Sequence, residues 1–165
     1  MDEARASKIL ILDPELVADG VLVERLGTHL AHVHLDVTGT AEDCLRALRG
    51  DEYDILVADY DIAEVRSPEF ATNVRLAEPN TQLQFFTRST EQSRLVELSR
   101  IGYRFMIKDE SWVEVLSSSM KLLLKRTKLE RSDESLRWKL TAAKQLLEEK
   151  NRRLDEFSAT VAHDI

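Results

Sequence analysis

The sequence predicts an α/β fold, a five-stranded doubly wound parallel sheet followed by one long helix. Three observations carry that expectation. Short apolar, β-branched runs alternate with helical patterns over the first two thirds of the chain. The three prolines (Pro14, Pro68, Pro79) and five glycines all lie at or before Gly102, so helix breakers vanish from the remainder. In that remainder Leu136, Leu140, Ala143, Leu147, Lys150, Leu154, Phe157 and Val161 recur at alternating spacings of four and three.

Lys8 to Leu12 is a continuous apolar strand, and a helix follows from about Glu15 to Leu30. His32 to Val37 alternates polar and apolar, as a half-covered strand does, and Ala41 to Arg49 reads as a helix. Asp54 to Ala58 (DILVA) is apolar enough to be buried on both faces. A helix ending near Ala77, a strand at Leu83 to Thr87, a helix from about Glu91 to Arg100 and a strand at Tyr103 to Ile107 complete the series. Strands separated by helices imply parallel pairing with helices on both faces, and in such sheets the chemistry sits beyond the carboxyl ends of the strands.

From Ser111 the pattern is one helix, opened by a capping box of Ser111 and Glu114 and running to Ile165. At about 1.5 Å per residue it would extend roughly 80 Å. Its apolar stripe, interrupted only by Lys150, has nothing within the chain to pack on, so a parallel homodimeric coiled coil through residues 122–165 is expected. The domain reading is a globular unit at 1–124, a helix and coiled coil at 111–156 continuous with its last helix, and a distinct terminal segment at 157–165.

A chain of 165 residues with 43% hydrophobic content can bury one proper core. Its net charge of −7 argues against nucleic-acid binding. No run resembles a signal peptide or membrane span, and a cytoplasmic location is expected. Cys44, the single cysteine, reads as a small core residue on a helix. His29, His32 and His34 lack further ligands nearby and read as solvent-exposed rather than metal-binding. Lys121, Lys125, Arg126, Lys128 and Arg131 read as a solvated helix face.

Four polar residues close or follow the strands: Asp13, Asp59, Thr87 and Lys108. A carboxylate that accepts a phosphoryl group needs a divalent cation held by other oxygens, a hydroxyl near the phosphoryl oxygens and a fixed positive charge. The set supplies a nucleophile in Asp59, a metal ligand in Asp13, a hydroxyl in Thr87 and a cation in Lys108.

Over about Lys8 to Leu124 the chain resembles the receiver domain of response regulators. KILILDPE is similar to the first strand and its acidic turn, TAEDCLRAL to the start of the second helix, and YDILVAD ends in Asp59 at the phosphoacceptor position. FFTRS places Thr87 at the conserved hydroxyl, IGYRFMIKD places Lys108 at the invariant lysine, and Phe105 matches the aromatic switch residue. The resemblance implies a flavodoxin-like strand order, Mg²⁺ as cofactor with Asp13 and Asp59 as ligands, and an upstream phosphodonor, either a histidine kinase or a phosphotransfer protein.

Pro14 stands where the family has a second acid, leaving Glu15 as the acid that could reach the cation. Arg88 replaces a small residue after the hydroxyl, and Asp61 adds a negative charge two positions beyond Asp59. LDEFSATVAHDI resembles the start of a histidine-kinase phosphoacceptor box, which implies His163 as a second phosphoacceptor, oriented by Asp164.

The function implied is two-component phosphorelay signal transduction, a receiver regulating an attached histidine kinase through a dimeric coiled coil. The alternatives are a non-phosphorylated pseudo-receiver serving as a dimerisation scaffold, or a response regulator with a coiled-coil output. With no ATP-binding motif in the sequence, whether the chain acts as an enzyme stays open, and its parent protein is expected to be a histidine kinase.

Overall fold

In the computed structural model residues 5–164 are described, so Ile165, the predicted end of the coil, lies outside the described residues. The strands are β1 (Ser7–Leu12), β2 (Val33–Thr38), β3 (Ile55–Asp59), β4 (Gln82–Thr87) and β5 (Arg104–Ile107). They form one sheet in the order β2-β1-β3-β4-β5 with every pairing parallel, which is the predicted doubly wound class. The helices are α1 (Pro14–Ala18), α2 (Gly20–His29), α3 (Ala41–Gly50), α4 (Ala63–Arg66), α5 (Pro68–Ala77), α6 (Gln92–Ile101) and α7 (Trp112–Asp164).

Successive residues of a strand point to opposite faces, and the core divides accordingly. Ile9, Ile11, Ile55, Val57 and Phe86 pack with Leu16 of α1, Leu26 of α2, and Trp112, Leu116 and Met120 of α7. Leu10, Leu12, Leu56, Ala58 and Phe85 pack on the other face with Cys44 and Leu48 of α3, Phe70 and Val74 of α5, and Leu98 of α6. Cys44 is a core residue on a helix, as its context predicts, and burial pushes its thiol up to about 12.

Local chemistry redraws several predicted boundaries. The helix expected from Glu15 to Leu30 is two helices, because the Asp19 carboxylate accepts the Val21 and Leu22 amides at 3.1 and 3.2 Å and starts a new helix there. His32 belongs to the turn before β2, in a left-handed conformation at φ 73°. Pro68 likewise opens α5 at its first turn, with Ser67 as cap, and so separates it from the short α4. The expected Ser111 and Glu114 capping box gives way to other partners. The Asp109 carboxylate accepts both the amide and the hydroxyl of Ser111 at 2.9 Å, and Glu114 pairs with Arg25 at 2.8 Å.

By its contacts the chain divides into two units, Met1–Leu124 and Lys125–Ile165. In the second unit, the remainder of α7, every described residue from 128 to 164 is exposed. Leu136, Leu140, Leu147, Leu154 and Phe157 are between 62% and 72% exposed, so the apolar stripe is without a partner inside this unit. No described helix is long and apolar enough to cross a membrane.

Candidate functional site

The parallel topology brings Asp13, Asp59, Thr87 and Lys108 to the carboxyl edge of the sheet, each at or one residue past a strand end. Asp13 serves first as a helix cap. Its Oδ1 accepts the Glu15 amide at 2.8 Å, its own amide donates to the Thr38 carbonyl at 2.9 Å, and Pro14 sets the first turn of α1. Its other oxygen, Oδ2, accepts from Lys108 Nζ at 2.7 Å, and both side chains are shut off from solvent. With both charges out of water, their mutual attraction offsets the cost of burying them.

Lys108 is committed more than once. Its Nζ also donates to Glu15 Oε2 at 3.0 Å, and it lies 5.0 Å from the ring centre of Phe86 and 4.7 Å from that of Trp112. Those two rings stack with centroids 5.9 Å apart, forming an aromatic wall along the cation. Glu15 is tied in addition to the Arg88 guanidinium. The hydrogen bond from Lys108, with the charges of Lys108 and Arg88 behind it, holds the Glu15 carboxyl below its ordinary range against the opposing effect of burial.

Asp59 ends β3 with one oxygen accepting the Asp61 amide at 2.8 Å. Burial, reinforced by the like charges of Asp13 and Asp61, pushes its carboxyl up to about 6. The turn through that amide brings Asp61 against the end of β4. Thr87 is fully buried, and its hydroxyl donates to Asp61 Oδ1 at 2.7 Å. The Arg88 amide donates to Asp61 Oδ2 at 2.8 Å, and Arg94 of α6 reaches Oδ1 at 3.1 Å. Burial opposes ionisation of Asp61, but the hydrogen bonds from Thr87, the Arg88 amide and Arg94 outweigh it and hold the carboxyl below its ordinary value.

These residues do not fit the Mg²⁺ that the family resemblance implies. Octahedral Mg²⁺ wants carboxylate oxygens converging on one point. Pro14 offers no side-chain oxygen, Asp13 is bound by Lys108, and Glu15 is drawn to Lys108 and Arg88. Among the described residues no group of three or more His, Cys, Asp or Glu side chains is placed to hold a metal ion. Of the implied ligands, Asp13 and Glu15 are held in ion pairs with Lys108 and Arg88, and Asp59 takes the Asp61 amide on one oxygen.

Phe105 is half-buried on β5, in register with Phe85 of β4, and packs against the core face that carries Leu98. His163 lies in the second unit on the last turn of α7, 93% exposed, with Nδ1 4.0 Å from the Asp164 carboxylate.

The five-stranded parallel sheet with flanking helices is matched in solved structures. The chain resembles a CheY-like response regulator receiver domain protein from Methanospirillum hungatei (TM-score 0.61, 15% identity, 75% of this chain and 98% of that one). The fold is that of the response-regulator receiver domain. A signal receiver domain of an HD domain-containing protein from Pseudomonas fluorescens matches at TM-score 0.60 and 20% identity, over 78% of this chain and 94% of that one. A streptococcal protein described as a redox sensor evolved from two-component response regulators matches at TM-score 0.60 and 15% identity, over 76% of this chain and 54% of its own. No family model and no curated protein matches the chain.

Arg94 is the site residue that sequence reasoning missed. One signal was present: α6 has no acid in its first turn and no side-chain cap, yet carries an arginine where the helix dipole disfavours a cation. An arginine there implies an anion beside it, and Asp61 is that anion.

Proposed function

We propose that this chain is a receiver-fold signalling module that works without metal-assisted phosphoryl transfer. It relays a rearrangement of the ion pairs at its sheet edge through α7 to a second copy paired along the stripe from Leu136 to Val161. The single observation that supports this reading is the commitment of Lys108 to Asp13 and Glu15, with Pro14 in place of a second acid. The fixed cation that a phosphoryl group would require is bound elsewhere, and the oxygens a divalent ion would require do not converge.

The four-three spacing of exposed leucines on α7 supports the second copy as the partner, and an uninterrupted helix transmits rotation where a flexible linker would absorb it. In this reading His163 is the point at which a histidine-kinase domain would receive the signal.

The rival reading keeps Asp59 as a phosphoacceptor served by an upstream histidine kinase or phosphotransfer protein with Mg²⁺. It is favoured by the convergence of Asp59, Thr87 and Lys108 on one edge. Incubation of the whole chain with a small acyl phosphate, with and without Mg²⁺, followed by intact-mass measurement, separates the two. The proposal expects no phosphoryl adduct in either arm. A Mg²⁺-dependent adduct that disappears in Asp59→Asn would overturn it.

A further inference from the structure

Asp61 is the side chain on which the donors of this sheet edge converge. Its two oxygens accept from the Thr87 hydroxyl at 2.7 Å, the Arg88 amide at 2.8 Å and the Arg94 guanidinium at 3.1 Å. The donors come from the end of β4, the loop after it and the first turn of α6, whereas the carboxylate comes from the turn after β3. Two neutral donors and one cation surrounding two oxygens make a receptor for an oxyanion.

We infer that Asp61 is the resident anion of an oxyanion-binding site built from Thr87, the Arg88 amide and Arg94, and that removing its carboxylate opens that site to a free oxyanion. The inference deepens the reading of a receiver that needs no phosphoryl group, since the chain's own carboxylate stands in for one. Asp61 ties the turn after β3 to the start of α6, so a bound oxyanion would hold α6 in the same place. The side chains of Asp61 and Arg94 are each 28% exposed, which leaves a path for exchange with solvent. Asp54, by contrast, is a buried carboxylate that takes the Lys8 amide at 2.9 Å and is structural in kind.

The test uses the full chain in buffer with a metal chelator and follows the Arg88 backbone amide by NMR while inorganic phosphate is added across the millimolar range. Wild type is expected to show no saturable shift. Asp61→Ser, which keeps the turn amide that donates to Asp59, is expected to show a saturable shift at Arg88. Adding Arg94→Gln to that variant should weaken phosphate by about tenfold, the effect of losing one charge-assisted hydrogen bond. Equal binding by wild type and Asp61→Ser would overturn the inference, as would a folded Asp61→Ser that shows no shift.

Should Asp61→Ser fail to fold, Asp61→Asn takes its place, since it keeps the turn amide on Asp59 and removes the charge. A folded Asp61→Asn with no saturable phosphate shift at Arg88 would overturn the inference. With the chelator present these outcomes are independent of whether Mg²⁺ supports phosphorylation of Asp59, so the two proposals can fail separately.

Discussion

Replacing Asp59 by asparagine should stabilise the protein at neutral and alkaline pH and leave it unchanged in acid. Asp59 is an acid whose folded-state carboxyl sits at about 6 against an ordinary 3.8, chiefly through burial and secondarily through the charges of Asp13 and Asp61. Because the folded value lies above the unfolded one, folding favours the neutral form. The cost of ionised Asp59 is complete above pH about 6, falls away as the pH drops towards 4, and is absent below that. At about 1.4 kcal/mol per pH unit the difference corresponds to about 3 kcal/mol, and partial access to solvent reduces it to about 2 kcal/mol.

Asparagine keeps an oxygen for the Asp61 amide, so the one hydrogen bond that Asp59 accepts is retained and the charge alone is removed. Urea unfolding of wild type and Asp59→Asn at a series of pH values between 4 and 8 measures the effect directly. The difference between the two proteins cancels every other titrating group, to the extent that the unfolded chains are alike. The expected curve is near zero at pH 4 and rises to a plateau of about 2 kcal/mol in favour of the variant above pH 7. A flat difference, or a variant less stable at pH 8, would show that Asp59 is not held against its own ionisation and would refute the account of this edge as an overcrowded carboxylate cluster.

Lys108→Met keeps contact with Phe86 and Trp112 but leaves the buried Asp13 carboxylate without its cation, and should cost about 3–5 kcal/mol, read by thermal or urea unfolding near neutral pH. Introducing Asp13→Asn into that background should recover much of the loss, because the stranded charge is then gone. On α7, Leu140→Glu together with Leu147→Glu places acids on the exposed stripe and should turn the proposed dimer into a monomer in sedimentation experiments. The circular dichroism of the first unit should stay intact, and wild type that sediments only as a monomer would remove the basis for the paired helix.

Much of the fold was legible because hydrophobic period and burial agree. The run Ile55 to Ala58 is apolar at every position and lies buried on both faces of the sheet, and the edge strand β2 shows the mixed pattern of Val33 to Thr38. Boundaries failed where a single side chain outbids the pattern. Asp19 captures two amides and restarts a helix, and Asp109 takes the Ser111 groups that a capping box would have used. Both are short-range competitions between similar polar groups, which composition and period do not rank.

The site was legible in its membership and not in its pairing. Strand ends told where Asp13, Asp59, Thr87 and Lys108 would meet, but one lysine faced several carboxylates, and nothing in the order of residues says which it takes. Backbone direction decides it. Pro14 fixes the first turn of α1, so that Glu15 is presented beside Asp13 to the same ammonium. The turn that gives the Asp61 amide to Asp59 sends the Asp61 carboxylate across to Thr87 and Arg94. Glu15 and Asp61 thus both end on side-chain donors of this edge, Lys108 and Thr87. Glu15 shares the lysine with Asp13 and Asp61 lies on the hydroxyl, so replacing Asp61 would free the hydroxyl, whereas replacing Glu15 would still leave Lys108 on Asp13.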